Sequence, residues 1–333
     1  MPDIPLTRGQ FLLPFVSILD DIGAPTDALL ERSRLPSSLP EKSDLYLPLL
    51  PALRFVETAQ RDQGIEDFGF LAAQRLDFSH LREKTRALIA HSPTLLVALR
   101  HACHWASRED TILSMWIEQD MDHVRVCSRL AVTAGLLHLK YAQWIQNIFP
   151  IHIVRQFAGP GWMPTAIAFE SSYTPGPATR SAWPDVQFLS DQHAAWISLP
   201  TKLLSLSNRS TALFAPPRDQ EDRLSDYGTV DLLKLMLPAY LDEGTTALAD
   251  VAEIAGVSSR TLQRKLANLG LTYSDILEAA RYENASRLLR DTDCKIIEVA
   301  FASGYADPAH FSRAFRRMTG VTPRQFREQS RLG

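Results

Sequence analysis

Residues Gly304–Arg327, "GYADPAHFSRAFRRMTGVTPRQFR", place aromatic side chains on one helical stripe and arginines on another. At about 100° per residue, one face holds Phe311, Ala314, Phe315 and Met318, and the opposite face holds Ala309, Arg313, Arg316 and Arg317. This separation predicts a helix whose aromatic face is anchored in a core while its arginines point outward. Such a row of arginines stands out in a chain whose net charge is −3.

The segment belongs to the second copy of an internal repeat. "LADVAEIAGVSSRTLQRKL" and "IIEVAFASGYADPAHFSRAF" align at an offset of roughly 48 residues, with one residue inserted after the second glycine. In each copy an alanine, Ala252 or Ala300, lies one helical turn before a glycine, Gly256 or Gly304. The alanine lets two helices approach closely, and the glycine suits a turn with positive φ. The repeat therefore predicts two helix-turn-helix motifs, at about 248–269 and 296–319.

A polar residue begins the second helix of each copy. We expect Ser258 to cap the first of these helices, and Asp307 followed by Pro308 to cap the other. In the first copy, the expected buried stripe is Leu262, Leu266 and Leu269, while Arg260, Gln263 and Arg264 lie outside it. An arginine fork fits the O6 and N7 acceptors of guanine, glutamine pairs with adenine, and both can also hold phosphate.

The residues around these helices predict a connector and a closing helix. Thr272 and Asp275 form a capping-box pattern, which indicates one helix from Tyr273 to about Arg290. Its length of roughly 27 Å is close to the ~34 Å between successive major-groove faces. After Gly320, a plausible C-cap, Thr322 and Pro323 are expected to start a short helix. In that helix Phe326 would point inward and Arg324 or Arg327 would lie near phosphate.

Charge is distributed unevenly along the chain. From Ala255 to the end there are thirteen Lys and Arg against eight Asp and Glu, so this region carries +5 and the remainder −8. A basic region that contains two tandem helix-turn-helix motifs is typical of proteins that bind nucleic acid. Double-stranded DNA is therefore the expected partner of this region.

These residues resemble the AraC/XylS family of bacterial transcription regulators. The second motif of that family is matched by Gly304, Tyr305, Asp307, Phe311, Arg313–Arg317, Gly320, Thr322, Pro323, Phe326 and Arg327. The segment "SSRTLQRKLANLG" fits the first motif of one subgroup. The resemblance covers about Val230–Arg331, roughly a third of the chain.

The resemblance also implies roles for individual residues. The candidates for reading bases are Arg260, Gln263 and Arg264 in the first motif and Ala309, Ser312 and Arg313 in the second. The candidates for holding phosphate are Arg316, Arg317, Arg324 and Arg327. Ala309 has no hydrogen-bonding side chain, so its contribution would be apolar contact with a thymine methyl group. The family also implies activation through contact with RNA polymerase.

The upstream two-thirds have a different pattern. We predict an α+β sensing and dimerisation domain at 1–215 and a linker at 216–228. An all-α DNA-binding domain follows at 229–333, and its first helix is expected around Val230–Leu241. Residues 1–105 read as mostly helical. "TILSMWIEQ" and "HVRVCSRL" flank a turn at Gln119–Asp122 and predict a hairpin, and three strand-like segments follow a helix around Leu136–Phe149. The sensing domain is therefore expected to be helix-rich, with a small, mostly antiparallel sheet.

This layout resembles the arabinose-binding-like domain found in one branch of the same family. The resemblance depends on "SPTLLVALRHACHW", on "MPTAIAFESSY" and on Leu199–Leu206. It implies a small-molecule effector, although the name of the branch does not identify that ligand. All six tryptophans lie in this region, where core packing is the more common role for each of them.

Several other classes of protein are disfavoured. The three cysteines are scattered, no apolar run approaches the ~20 residues of a membrane helix, and the N-terminus does not read as a secretory signal, so we expect a cytoplasmic protein. His101 and His104 are one helical turn apart but lack a second pair at zinc-site spacing. The sequence has no GxSxG, HExxH, Walker or GxGxxG motif. We therefore expect no metal, no cofactor and no enzymatic activity.

Two questions remain open at this level. "LLHLKYAQWIQNIF" presents Leu137, Tyr141, Trp144, Ile145 and Ile148 on one side of a helix, which would serve either a homodimer interface or the core of its own domain. The alternatives to a ligand-responsive regulator are a DNA-repair alkyl-transfer enzyme fused to a DNA-binding module, with Cys103 as its nucleophile, and a regulator controlled by a protein partner.

Overall fold

The computed structural model describes residues 4–131, 139–208 and 227–330. Over these ranges the chain is helix-rich, with two small sheets and a C-terminal group of short helices, which confirms the coarse prediction. The predicted linker lies almost wholly outside the described residues, which resume at Tyr227.

The N-terminal region is built mostly from helices that surround a large apolar core, with smaller buried clusters beside it. They are α1 (Leu13–Asp21), α2 (Thr26–Arg32), α3 (Leu49–Gln63), α4 (Phe68–Gln74), α5 (Glu83–Ala90), α6 (Leu95–Glu109), α7 (Lys140–Ala158) and α8 (Pro177–Ala182). Thr94 caps α6 through its hydroxyl, which accepts a hydrogen bond from the amide of Val97 at 3.4 Å. Within the described ranges, no helix is both long and apolar enough to cross a membrane.

Two short strands interrupt the part that was expected to be helical. They are β1 (Leu6–Arg8) and β2 (Tyr46–Pro48), which pair in antiparallel fashion. Their pairing brings together segments that are far apart in sequence. Neither segment has the alternation of apolar and polar residues that would predict a strand. The amide of Leu49, at the start of α3, donates to the Pro5 carbonyl at 2.8 Å. The sheet therefore fixes where α3 begins.

The second sheet contains the predicted hairpin. Its strands are β3 (Leu113–Asp120), β4 (His123–Leu130), β5 (Ala166–Ala168), β6 (Gln187–Leu189) and β7 (Ala195–Pro200). Their order is β3-β4-β7-β5-β6, and each neighbouring pair is antiparallel except β5 and β6. The predicted turn is a tight one, in which Met121 adopts a positive φ of 52°.

Helix α7 corrects one prediction. The sequence predicted a helix around Leu136–Phe149, but the helix runs through Pro150 to Ala158, although an interior proline disfavours continuation. Trp144, Ile148 and Ile151 are buried along it. This tertiary burial outweighs the ~3 kcal/mol cost of an interior proline.

The same helix answers the question about the apolar side of "LLHLKYAQWIQNIF". Tyr141, Trp144, Ile145 and Ile148 are at most 8 % exposed within their own domain. Leu137 lies outside the described residues. The side chains that are described form an internal core face instead of a free surface for a second copy.

The C-terminal region consists of short helices around a longer one. They are α9 (Thr229–Met236), α10 (Leu248–Ile254), α11 (Ser259–Asn268), α12 (Tyr273–Asp291), α13 (Ile296–Ala302), α14 (Pro308–Thr319) and α15 (Pro323–Ser330). The start of α9 agrees with the predicted leading helix. The chain then continues as a 3₁₀ turn at Leu237–Ala239.

The C-terminal region packs directly on the N-terminal one. Helix α9 lies against β2, and the buried apolar core continues across the junction. Lys42 donates to the Ala239 carbonyl at 2.9 Å and also contacts the Asp242 carboxylate. The Tyr240 hydroxyl donates to the Arg34 carbonyl at 3.1 Å. These contacts place the start of the C-terminal region next to the β1–β2 sheet.

Candidate nucleic-acid interface

Helices α10 and α11 form the first of two similar pairs. Ala252 is 1 % exposed at their contact, and Gly256 has a φ of +72°, as the predicted turn requires. A Cβ atom at Gly256 would come 3.2 Å from Cδ1 of Leu50 on α3. The turn of this pair therefore lies against the N-terminal region.

The start of α11 is held by the predicted cap. The Ser258 hydroxyl accepts a hydrogen bond from the amide of Thr261 at 3.1 Å. Leu262 and Leu266 are each 1 % exposed, but Leu269 is 61 % exposed, so the prediction of a buried Leu269 was wrong. The helix ends at Asn268, and Leu271 bonds back to the Leu266 carbonyl, which turns Leu269 away from the core.

Three polar side chains lie on the outward face of α11. Arg260, Gln263 and Arg264 are all exposed, and neither guanidinium forms an ion pair with another of the described residues. Each side chain is therefore free to reach a ligand several ångströms from the helix surface. The face combines two forked cationic donors with one amide, which suits base edges and phosphates.

Helices α13 and α14 form the second pair. Ala300 is fully buried, and Gly304 has a φ of +78°. A Cβ atom at Gly304 would come 2.9 Å from the Leu241 carbonyl oxygen, closer than real Cβ atoms approach backbone. The glycine is therefore required both by its backbone conformation and by this close approach.

Asp307 caps α14 through two main-chain amides. Its carboxylate accepts hydrogen bonds from Ala309 at 3.0 Å and from His310 at 2.9 Å. These bonds stabilise the charged form and hold the pKa of Asp307 below its usual value. Both predicted N-caps are therefore confirmed, one as a hydroxyl and the other as a carboxylate.

An aromatic cluster anchors α14. The ring of Phe315 lies 5.7 Å from that of Phe311, 5.6 Å from that of Tyr282 and 5.3 Å from that of Phe326. Phe311 and Phe315 are at most 2 % exposed, whereas Met318 is 43 % exposed and extends the apolar face only in part. The predicted inward position of Phe326 is confirmed, because α15 folds back over Phe315.

On the outward face of α14, some side chains are short and others already contact groups within the protein. Ala309 is exposed, and the half-buried Ser312 hydroxyl donates to the Pro308 carbonyl at 2.9 Å. Arg313 and Arg316 are exposed. Arg317 lies 3.3 Å from the Glu278 carboxylate of α12. This face therefore presents fewer free long side chains near its N-terminus than α11 does.

Helix α15 carries the last two arginines predicted to hold phosphate. Arg324 is exposed and lies 3.1 Å from Glu328, one turn along the helix. Arg327 is half-buried and donates to the Cys294 carbonyl at 2.6 Å. Arg327 therefore ties α15 to the loop after α12, a packing contact that sequence patterning does not reveal.

His310 was not among the predicted site residues. It is exposed in the first turn of α14, next to Ala309, and its ring lies 5.7 Å edge-on from that of Tyr305. Its position directly after Pro308 and Ala309, beside a predicted base-reading residue, was the signal that the sequence offered for it.

Helix α12 connects the two pairs. The Thr272 and Asp275 capping box is present, with the Thr272 amide donating to Asp275 at 2.8 Å. The helix has 19 residues, which gives a length of about 28 Å. Ile276 and Ala280 join the core shared with the first pair, and Leu289 joins the core of the second. Each end of α12 is therefore packed into a different pair.

Cys103 and His101 of α6 are partly buried, whereas His104 is exposed. Burial raises the pKa of the Cys103 thiol to about 12, so the thiol is protonated at neutral pH. The Nδ1 atom of His101 lies 3.0 Å from the Ser92 hydroxyl. This environment is the reverse of the electropositive one that activates a nucleophilic cysteine.

Sequence comparison assigns the family. Residues 23–208, more than half of the chain, match the profile described as the arabinose-binding domain of AraC transcription regulators. The chain belongs to the AraC family of transcription regulators. Residues 251–329 match the profile of a helix-turn-helix domain, so this AraC-family regulator is a DNA-binding protein.

Relatives of this AraC-family regulator extend along its whole length. The ornithine utilization regulator of Pseudomonas aeruginosa is 24 % identical over 98 % of this chain and 96 % of its own. The regulator VirS of Mycobacterium tuberculosis is 21 % identical over 97 % of this chain and 96 % of its own. Both relatives are named as regulators, VirS as a transcriptional regulator of the helix-turn-helix type.

Solved structures show similarity as well. The transcriptional regulator CdpR from Pseudomonas aeruginosa is 19 % identical, with a TM-score of 0.35 over 78 % of this chain and 86 % of its own. The DNA-binding domain of AdpA, solved in complex with a target DNA, is 27 % identical, with a TM-score of 0.26 over 31 % of this chain and 93 % of its own.

Proposed function

We propose that this AraC-family regulator is a ligand-responsive activator of a metabolic operon, and that α10–α11 and α13–α14 act as two helix-turn-helix units joined by α12. The observation that carries this proposal is the pair of capped helices, α11 and α14, that expose arginines from one basic region. The N-terminal sensing region would end near residue 215, and residues 229–333 would bind DNA.

The two units would read adjacent segments of the major groove. The length of α12, about 28 Å, is compatible with two recognition helices on one side of the duplex, where successive groove faces lie ~34 Å apart. Arg260, Gln263 and Arg264 are the proposed base-reading residues of the first unit. In the second unit they are Ala309, Ser312 and Arg313, with exposed His310 as an addition.

The backbone contacts would come from the remaining arginines. Arg316, Arg317 and Arg324 are exposed and project from α14 and α15. Arg327 is also proposed to contact phosphate, although one of its guanidinium nitrogens already donates a hydrogen bond to the Cys294 carbonyl. Contacts of this kind position the protein without reading sequence, and they make binding dependent on salt.

The proposed partners are promoter DNA, RNA polymerase, a small-molecule effector and a second copy of the chain. Polymerase contact is proposed because the family implies it, and the second copy is proposed because the N-terminal domain resembles a dimerisation domain. The effector would act by favouring one arrangement of the two regions over another, which requires different affinities for the two states. The contacts of Lys42 and Tyr240 between the regions supply an interface on which such a preference could act.

Genome-wide footprinting of the protein in its native host tests the proposal. Discrete sites upstream of catabolic or transport operons are the expected result, and the operons would also indicate the class of effector. Diffuse binding without promoter preference would contradict it and favour an architectural or repair role.

The Cys103→Ala variant tests the alternative that the protein is a DNA-repair enzyme. Cys103→Ala protein should regulate its promoters normally, because the thiol is partly buried and its raised pKa keeps it protonated. Loss of function in a Cys103→Ala protein that unfolds at the same urea concentration as the parent would reinstate an enzymatic cysteine.

A further inference from the structure

A cavity of about 110 Å³ lies inside the N-terminal region. Helices α1, α3, α5, α6 and α7 line it, together with Thr7 of β1 and the start of β3. Its walls are mostly apolar, with side chains such as Phe15, Val56, Ile89, Phe149 and Ile153. An engineered apolar cavity of roughly 150 Å³ binds benzene, so the occupant that fits this space has the size of about one aromatic ring.

The polar lining is concentrated where β1 meets the end of α6. Glu109 and Asp110 both line the cavity, and both are at least nine-tenths buried. Glu109 is neutralised by Arg8 at 2.9 Å, and it also accepts a hydrogen bond from the Thr85 hydroxyl at 3.2 Å. Its charge is therefore already compensated within the protein.

Asp110 has no such compensation. Its carboxyl accepts a hydrogen bond from the Ile112 amide at 3.2 Å and is also hydrogen-bonded to Thr7. No ion pair joins it within residues 4–131, 139–208 and 227–330. Burial raises the pKa of Asp110 to about 7. A buried carboxyl in this condition is stabilised in its charged form by a cation placed beside it.

We propose that this cavity is the effector site and that it binds a small apolar amine whose ammonium group faces Asp110. A sugar would bury many hydroxyl groups against walls that offer them few partners, which is unfavourable. A carboxylate ligand would meet two buried acidic residues. The amine satisfies both features of the cavity, since its apolar body fills the space and its charge balances Asp110.

The cavity shares an element with the contact to the DNA-binding region. Leu49 and Leu53 of α3 line it, while the intervening Leu50 lies against the turn glycine of the first helix pair, Gly256. An occupant that moves the first turn of α3 therefore moves the surface on which α10–α11 rests. This step, unlike the binding itself, depends on the proposed regulator function.

Calorimetric titration of the full chain without DNA tests the binding. The probes are benzylamine, benzyl alcohol and benzoate, which share one ring and differ in the polar group. Benzylamine should bind at least tenfold more tightly than either of the others. Equal binding of benzyl alcohol or of benzoate, or no binding of benzylamine, would overturn the assignment.

Two variants locate the site. Asp110→Asn should abolish the preference for benzylamine, and Ala106→Leu, which fills the cavity from α6, should abolish binding of every probe while leaving the charge unchanged. If Asp110→Asn protein does not fold, Ala106→Leu alone decides. Unchanged benzylamine binding in Ala106→Leu would place the ligand elsewhere and refute the proposal.

A second measurement separates this proposal from the regulator function. Saturating benzylamine should change the affinity for a footprinted promoter site at least threefold in the parent, and the change should shrink in Leu50→Ala. If benzylamine binds in the calorimeter but DNA affinity does not change, the cavity remains the amine-binding site, and ligand control of DNA binding is contradicted. Promoter footprints from a protein that binds no amine would support the regulator function and contradict the assignment of the cavity as an amine site.

Discussion

The two helix pairs of the C-terminal region share one backbone plan but present different surfaces. Both have a buried alanine, a glycine with positive φ and an N-cap on the second helix. The outward face of α11 carries three exposed polar side chains, and its turn touches the N-terminal region at Leu50. The face of α14 starts with Ala309 and the internally bonded Ser312, and its core is aromatic.

This comparison separates two demands on a repeated motif. The positions that set the helix–turn–helix geometry are alike in both copies, because backbone conformation and close approach leave few choices. The outward positions face no such constraint and are free to diverge. We therefore infer that the first pair contributes more to base reading and to communication with the sensor, and that the second contributes more to anchorage.

The largest expected effect is on the anchored pair. Phe315→Ala removes the ring that contacts Phe311, Tyr282 and Phe326. It should lower the free energy of unfolding of the C-terminal region by about 3–5 kcal/mol. Urea unfolding followed by circular dichroism measures this loss. Met318→Ala on the same helix is the matched control and should change stability by less than about 0.5 kcal/mol.

The turn glycines give the next largest effect. Alanine at Gly320, where nothing would contact the new Cβ atom, should cost about 1–2 kcal/mol of unfolding free energy from left-handed strain alone. Gly304→Ala should cost more, because its Cβ atom would also meet the Leu241 carbonyl oxygen. Gly256→Ala should lie between them, since the flexible Leu50 side chain can move. Equal losses of stability in all three variants would show that the close contacts are unimportant.

Base reading by the first helix pair is tested by comparing the affinity of a variant for a specific site with its affinity for random DNA. Arg264→Ala should weaken binding to a footprinted site by about 1–3 kcal/mol while changing binding to random DNA much less. Arg316→Ala should weaken both and reduce the slope of log affinity against log salt by about 1. Fluorescence anisotropy with specific and scrambled duplexes at several salt concentrations measures both quantities. Equal losses on both duplexes for Arg264→Ala would contradict its reading role.

The smallest expected effect concerns the caps. The pKa of Asp307 is held below its ordinary value by its bonds to Ala309 and His310. Its contribution to α14 is therefore present above the ordinary pKa of an aspartate and is lost as the pH falls through the lowered value. The hydroxyl cap of α11, Ser258, does not titrate. Acidification should accordingly shift the amide NMR signals of Ala309 and His310 before that of Thr261.

Asp307→Asn is the control for that experiment, because asparagine keeps the accepting oxygen without a titrating group. The early shift at Ala309 and His310 should disappear in this variant. Its persistence would mean that another acid controls the start of α14.

Local features were predicted well from the sequence. The caps Ser258, Thr272 and Asp307 and the hairpin turn at Gln119–Asp122 all depend on interactions between residues a few positions apart. Their residue types specify the geometry directly, since a hydroxyl or carboxylate at an N-cap has its partner within three residues. The helix α12 was located almost to the residue for the same reason.

Long-range packing explains the predictions that were wrong. Strands β1 and β2 pair across almost forty intervening residues, so neither carries a local signal of its own. Pro150 lies inside α7 because the burial of its neighbours outweighs the local preference for a helix end. Leu269 is exposed because α11 stops one residue earlier, and that end is decided by how the next loop returns to Leu266.

The amino-acid sequence by itself determined the two helix pairs, the connector between them and the basic face, because each follows from residue types at short spacing. Only the tertiary structure decided that Asp110 is buried beside an apolar cavity, that Arg327 bonds to the Cys294 carbonyl, and that Leu50 lies against Gly256. These features join segments far apart in the chain. Their geometry depends on how whole elements pack, and no short stretch of sequence contains that information.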